Sequence, residues 1–476
     1  MREYLQFYID GQWVDPIEMT TTETINPATE AVSGKIALGT KADVDRAVAA
    51  AKKAFASWSQ TTKEERLALL ERIQAEYEKR QSDLGAAITE EMGAPQALAQ
   101  GFHCALGAGH LGTAIDVLKN FDFEELKGQT MVRYEPVGVC AMITPWNWPV
   151  NQIAVKVFPA IAAGCTVVLK PSQEAHFSAQ IFTEIMDAAG VPAGVFNLVQ
   201  GKGSVIGTEL SRHPDVDMVS ITGSEGAGIE VARNAADTVK RVTQELGGKS
   251  ALIVLDDEQF AENVGKGVAG MMMNSGQTCS ATTRLLVPKA RMAEAIEAGK
   301  AAIAGVTVGD PNGEFSMGPV VSKAQFNSIQ QYIEKGIEEG ATLVAGGTGR
   351  PEGLDKGWYV KPTLFANATN EMTIAREEIF GPVQVIIGYD DLDDAIRIAN
   401  DSEYGLAGGV YGADLKTCQN VARRMRTGWV SINDGFDFNC PFGGYKKSGN
   451  GREWGEFGFH EYLEIKGMLG FVPAAE

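Results

Sequence analysis

The stretch Asn274-Ser275-Gly276-Gln277-Thr278-Cys279-Ser280 sets one thiol in a loop of small residues, directly after an apolar helical run over 264–273. An ionised cysteine attacks carbonyl carbons, and a small-residue backbone lets a substrate come close to it. A lone cysteine is more often a small buried hydrophobe, so the reading depends on what else the chain supplies. Glu245 sits in Thr243-Gln244-Glu245-Leu246-Gly247-Gly248-Lys249, where two α/β patterns meet. In apolar surroundings its pKa would rise and suit it to general-base work; alone, it would read as a helix cap or an ion pair. Asn147 lies in Pro145-Trp146-Asn147-Trp148-Pro149. Two prolines and two indoles stiffen that loop, so its amide is a fixed donor able to hold an oxyanion. Lys170 ends an apolar strand before Pro171-Ser172, which puts an ammonium on the ligand side of a sheet. Gly201, Gly203 and Gly207 follow another strand, and Gly223-Ser224 opens a helix whose free N–H groups suit a pyrophosphate. Either glycine loop also reads as a plain strand-to-helix turn.

These residues need rigid carriers, and the patterning supplies them. From 137 onward apolar β-branched runs alternate with helices. Strands are expected at 137–143, 166–170, 195–199 and 218–222, with helices at 150–163, 176–189, 203–211 and 225–236. That alternation predicts a doubly wound parallel sheet, whose ligands bind outside the carboxyl ends of its strands. The critical segments are then 144–149, 171–173, 201–204 and 223–228. A second α/β run spans about 250–432, with a surface connection over 346–362. Before them come a short hairpin around Asp10-Gly11 and helices over 42–59, 62–80 and about 81–118, the last broken near Gly93-Ala94-Pro95. Residues 119–136 read as an extended hairpin, and 460–466 as a strand that could pair with it or with a neighbouring subunit.

Length and charge set the outer bounds. The chain has 476 residues, enough for two or three domains. Its net charge of −19 argues against nucleic acid or an anionic membrane as the main partner. No basic-then-apolar start and no long apolar run indicates a signal or membrane span. Cys104, Cys140, Cys165, Cys279, Cys418 and Cys440 are scattered without a Cys-x-x-Cys pair. No metal site or disulfide framework is expected, and a reducing, cytoplasmic setting is.

Taken together, Glu245-Leu246-Gly247-Gly248-Lys249, Gly276-Gln277-Thr278-Cys279 and Glu377-Glu378-Ile379-Phe380-Gly381-Pro382 resemble the NAD(P)-dependent aldehyde dehydrogenase superfamily. The likeness extends from Ile25-Asn26-Pro27-Ala28-Thr29 to Pro441-Phe442-Gly443-Gly444-Tyr445-Lys446. It implies two doubly wound α/β domains plus a small β oligomerisation arm: 1–118 with 137–247 for the cofactor, 248–440 for catalysis, and 119–136 with 455–476 as the arm. It implies a homodimer or a homotetramer built as a dimer of dimers. It makes Cys279 the nucleophile, Glu245 the general base, and Asn147 the oxyanion donor with the Cys279 N–H. NAD would lie along Ile143, Thr144, Pro145, Trp146, Lys170, Ser172, Gln173, Gly203, Gly223, Ser224, Leu246, Glu378 and Phe380. The aldehyde would lie against Trp148, Asn151, Val155, Thr278, Ser280, Phe436 and Phe442.

The chain departs from the superfamily pattern at two places. Gln173 stands where a glutamate is common. A neutral amide repels a 2′-phosphate less, so NAD use with NADP tolerated is the expectation. Val155 stands where aromatic-lined members place a large ring, and Asn151 where an apolar residue is usual, which predicts a more open, partly polar wall. A medium-sized or hydroxylated aldehyde is then expected over a carboxylate-bearing one. Arg284, five residues after Cys279, is the one candidate to bind a carboxylate. The alternatives are a CoA-acylating relative, which would not need Glu245 as a hydrolytic base, and a non-catalytic structural protein on the same fold.

Overall fold

The computed structural model describes residues 1–472. Its first large sheet has eight strands, in the order Gly449–Asn450, Arg241–Glu245, Met218–Thr222, Val139–Ile143, Thr166–Lys170, Phe196–Leu198, Phe7–Ile9 and Gln12–Val14. The five central strands are parallel and the additions at both edges antiparallel. The Val139–Ile143 strand comes first in sequence among the parallel five, and the chain winds outward from it both ways. The strand order therefore reverses between Val139–Ile143 and Met218–Thr222, which is where such sheets open a crevice for ligands. The loops 144–149 and 223–224 leave the two strands that flank this point.

A second sheet of seven strands runs Thr342–Ala345, Thr363–Ala366, Val383–Tyr389, Arg284–Pro288, Ala251–Val254, Ala407–Tyr411 and Trp429–Ile432. All its pairings are parallel except the first. Both sheets are covered by helices, so their central strands are buried along their whole length. A third sheet joins Glu124–Lys127, Thr130–Pro136 and Leu463–Met468, all antiparallel. The C-terminal strand thus pairs with the 119–136 hairpin of its own chain. Residues 473–476 of the expected arm lie outside the described residues.

Several elements differ from the sequence reading. The helices expected at 62–80 and from 81 are one helix, Lys63–Met92. A capping box starts it: Glu65 N–H donates to Thr62 Oγ1 at 3.2 Å, and Thr62 N–H to Glu65 Oε2 at 2.7 Å. Gly93, at φ +78°, ends it. Glu245 closes a strand, Arg241–Glu245, which its polar-rich sequence concealed. The 346–362 connection is not wholly at the surface, since Trp358, Tyr359 and Val360 are buried and Trp358 N–H donates to Pro27 O at 3.0 Å. A further sheet, Arg2–Tyr4, Ala31–Leu38 and Thr20–Asn26, was not anticipated. The final strand begins at Leu463, after a short helix, Gly455–His460.

Candidate active site

The Phe260–Met271 helix runs into a turn in which Asn274, Ser275 and Gly276 all take left-handed φ values of 55°, 56° and 70°. Two non-glycine residues in that region cost energy, so the turn must be held from outside. Ser275 Oγ donates to Gly318 O at 2.9 Å, Gln277 Nε2 to Asn274 O at 3.1 Å, and Val321 N–H to Gln277 Oε1 at 2.9 Å. Gly276 is required sterically as well, because a Cβ there would lie 2.2 Å from Gly381 O. The outcome is a rigid, half-buried Cys279.

The loop carrying Asn147 is stitched to this turn. Asn274 Nδ2 donates to Asn147 O at 2.9 Å, and Asn147 Nδ2 donates to Gln277 O at 3.2 Å. One Asn147 amide hydrogen is left to point elsewhere. Trp148 Nε1 donates to Thr278 Oγ1 at 3.1 Å. His103 stacks on Trp148 with centroids 4.1 Å apart, and its Nε2 donates to Asn274 Oδ1 at 3.3 Å. Burial holds that imidazole neutral, with a pKa near 3.

Glu245 is 4% exposed, and neither carboxylate oxygen has a hydrogen-bond partner among the described residues. Burial, then the nearby Glu453 carboxylate, pushes its pKa well up. Glu453 is paired with the fully buried Lys156, whose Nζ also donates to Ser220 Oγ at 3.0 Å. The sequence reading missed both; a lysine inside the apolar run Val155-Lys156-Val157-Phe158 was a signal for the first. Burial also raises the Cys279 thiol, reinforced by the carboxylates of Glu378, Glu245 and Glu453.

Two cavities meet at Cys279. The smaller, about 300 Å³, is lined by Trp146, Gly223, Ser224, Leu246, Glu378 and Phe380, together with Pro145 and Asn147. Glu378 Oε1 accepts from Gly248 N–H at 2.9 Å, and burial raises its pKa to about 7. Gln325, another residue missed, donates from Nε2 to Ile379 O at 3.1 Å and Phe380 O at 2.9 Å. The remaining expected cofactor residues, Ile143, Thr144, Lys170, Ser172, Gln173 and Gly203, do not line this cavity. Ile143 pairs with Lys170 in register, and Thr144 N–H donates to Lys170 O at 3.1 Å. Ser172 and Gln173 follow directly, and Gly203 begins a wide helical turn after the next strand. They form an adjoining shelf along the same strand ends.

The larger cavity, about 540 Å³, includes Trp148, Asn151, Thr278, Ser280, Phe436 and Phe442, as expected. Val155 is absent from it. That side chain is buried beside a separate small void, which it shares with His110 and Trp454. Trp454 borders both spaces, stacked on Phe442 at 4.9 Å, and supplies the ring in this wall. With Phe102 and Trp429, also unanticipated, the cavity carries more rings than expected, and its wall is also partly polar, as predicted, with Asn151, Ser280, Asp434 and Glu453. Arg284 does not reach it: its guanidinium is buried against Lys249 O, Asn370 Oδ1, Ile398 O and Ala399 O, each at 2.9 Å. Another cavity of about 540 Å³, rimmed by Asp256, Asp257, Asp390, Asp391 and Asp414, lies at the second sheet's strand ends and holds no nucleophile.

The aldehyde dehydrogenase family model matches residues 13–468. The chain belongs to the aldehyde dehydrogenase family. A 3-succinoylsemialdehyde-pyridine dehydrogenase from a Pseudomonas species is 52% identical over 474 residues, covering 99% of each chain. Aldehyde dehydrogenase C of Pseudomonas syringae, solved as a cysteine-to-alanine mutant with NAD+ and octanal, superposes with a TM-score of 0.98 at 50% identity, covering 99% of this chain and 98% of that one. Betaine aldehyde dehydrogenase of Staphylococcus aureus, solved with NAD+, gives a TM-score of 0.95 at 35% identity, covering 98% and 95%. Among the described residues no helix is long and apolar enough to cross a membrane.

Proposed function

We propose that this member of the aldehyde dehydrogenase family oxidises an uncharged, largely apolar aldehyde to its carboxylic acid with NAD, in the cytoplasm. The observation that carries this reading is the position of Cys279, which lines both a cavity beside Ser224, Glu378 and Phe380 and a larger one rich in aromatic rings. The cofactor side fits a dinucleotide. Thr144 Oγ1 and Thr222 Oγ1 are buried without partners beside the strand ends, a Cβ at Gly223 would meet nothing closer than 3.8 Å, and the Glu225–Ala235 helix directs its first N–H groups at that point. Glu378 with Phe380 would hold the nicotinamide riboside, Ser224 the pyrophosphate, and Lys170 with Ser172 and Gln173 the other ribose. When bound, NAD supplies the hydride acceptor.

The protein's own residues account for the remaining chemistry. The Cys279 thiolate adds to the aldehyde carbon, and the resulting alkoxide is held by Asn147 Nδ2 and the Cys279 N–H. Oxidation of that adduct leaves a thioester on the sulfur. Glu245 takes a proton from water, the water oxygen attacks the thioester carbon, and the thiolate leaves. A buried carboxylate without a partner is suited to that step, and it favours hydrolysis over transfer to CoA.

The substrate class follows from the wall. No lysine or arginine lines the larger cavity, whereas Asp434 and Glu453 do. A carboxylate on the substrate would meet the Asp434 carboxylate, with no cation in the wall to pair with it and with Lys156 already committed to Glu453. Of the relatives named above, the two at 50% identity or more are named for or bind a pyridyl ketone aldehyde and octanal, both without charge at the tail, whereas the one at 35% is named for betaine aldehyde, a cation. The decisive assay follows NADH production over octanal, benzaldehydes, succinate semialdehyde and betaine aldehyde, with NAD and NADP. Uncharged aldehydes should exceed succinate semialdehyde in kcat/KM by at least about tenfold, the equivalent of ~1.4 kcal/mol. Selectivity for either charged aldehyde would overturn the assignment of the wall. With Gln173 in place of a carboxylate, the NAD to NADP ratio of kcat/KM should stay below about a hundredfold, ~2.7 kcal/mol.

The division into a cofactor unit (1–118 with 137–247), a catalytic unit (248–440) and an arm is part of the same proposal, as is assembly into a dimer or tetramer. The arm sheet leaves Leu126, Ile465, Leu469 and Phe471 half or more exposed, which suits a face covered by another copy.

A further inference from the structure

We propose that Gln152 forms a polar subsite in the aromatic cavity and selects aldehydes that carry an uncharged oxygen function, a carbonyl or a hydroxyl, on the chain behind the aldehyde group. The inference rests on the aldehyde-oxidising reading above and adds a substrate feature to it. Gln152 lies in the first turn of the Pro149–Ala163 helix, where its N–H donates to Trp148 O at 2.9 Å. It lines the same cavity as Cys279 and is 5% exposed, and its Oε1 has no hydrogen-bond partner among the described residues.

Most of the other polar side chains in that wall are engaged by protein, the Ser280 and Thr282 hydroxyls excepted. Asn151 Oδ1 accepts from His110 Nε2 at 2.8 Å, and burial holds that imidazole neutral with a pKa near 4. Thr278 Oγ1 accepts from Trp148, Ser431 Oγ donates to Gly435 O at 3.0 Å, Asp434 accepts from the Tyr411 hydroxyl, and Glu453 is paired with Lys156. Gln152 therefore offers a hydrogen-bonding position that is buried and left unpaired by protein, which the smaller Ser280 and Thr282 hydroxyls of the same wall do not. A buried amide left unpaired costs stability, whereas one paired by ligand discriminates strongly against ligands lacking the partner. Its place sets the depth of the subsite. Trp148 touches the residue before Cys279, and Gln152 follows it by one helical turn, ~5 Å. The recognised oxygen then lies a few bonds from the reacting carbon. An amide turned by 180° exchanges donor for acceptor without changing shape, so a carbonyl and a hydroxyl share this chemistry.

The test uses two matched substrate pairs, 4-oxo-4-phenylbutanal against 4-phenylbutanal and 3-(4-hydroxyphenyl)propanal against 3-phenylpropanal. Each is assayed with the intact enzyme and with Gln152→Met, which keeps the volume and removes both polar ends. The intact enzyme should favour the oxygenated member of at least one pair about tenfold in kcat/KM, and Gln152→Met should bring that ratio close to one by slowing the oxygenated member. A change in the ketone pair identifies an accepting ligand, and a change in the phenol pair a donating one. The variant should melt no lower than the parent, because it removes an unpaired buried amide. Ratios in Gln152→Met that stay within twofold of the parent's, with all four aldehydes still oxidised, would overturn the subsite alone. Failure of the parent to oxidise any of them would overturn the dehydrogenase reading instead.

Discussion

Burial and neighbouring carboxylates push the pKa of both Cys279 and Glu245 upward, toward their protonated forms. Each must lose its proton to act, so acylation and deacylation should both accelerate as pH rises from neutral to alkaline. In Glu245→Gln the steady-state rate should fall by roughly 10²–10⁴ and lose its own pH dependence, while acylation keeps the limb set by the thiol. Stopped-flow rates across that range would check this; a pH-independent acylation rate would contradict it. Lys156 gives a second test at this scale. Lys156→Met leaves Glu453 buried without its cation, which should cost about 3–5 kcal/mol, seen as a lowered Tm. Adding Glu453→Leu should recover much of it. A single variant as stable as the parent would contradict the buried pair.

The elements that position these residues were unevenly legible. Strands 166–170 and 218–222 are buried along their length, rich in apolar and β-branched residues, and fall where the pattern puts them. The Arg241–Glu245 strand, which brings the proposed general base to the site, alternates too weakly to announce itself. Cys279, Asn147 and Glu378 were readable because each sits in a local motif. Phe102, Trp429 and Trp454 were not, since the wall is assembled from segments far apart in sequence, and only the fold brings them together. Val155 was misplaced for a related reason: its position along the helix was known, but not that Trp454 would stand between it and the cavity. The strained turn at Asn274–Gly276 is where element and chemistry meet. Gly276→Ala would set a methyl 2.2 Å from Gly381 O at a φ of 70°. It should lower stability by more than about 1 kcal/mol and reduce kcat, because Gly381 adjoins Phe380. Calorimetry with steady-state assays would show this, and unaltered values of both would contradict the packing.

Across the whole molecule, two α/β sheets place their strand ends against one another with Cys279 between two cavities, and the arm sheet extends a partly apolar face. Ile465 on that face is 69% exposed. Ile465→Asp should shift the assembly toward a smaller species by light scattering while the cavities stay intact. A parent protein already monomeric would contradict the role given to the arm. The covalent route itself is tested most directly by mixing Glu245→Gln with NAD and octanal and recording NADH and intact mass together. A burst near one equivalent of NADH, with an octanoyl adduct located on Cys279, is the predicted result. NADH release without any adduct on Cys279, or unimpaired turnover in Cys279→Ala, would contradict it.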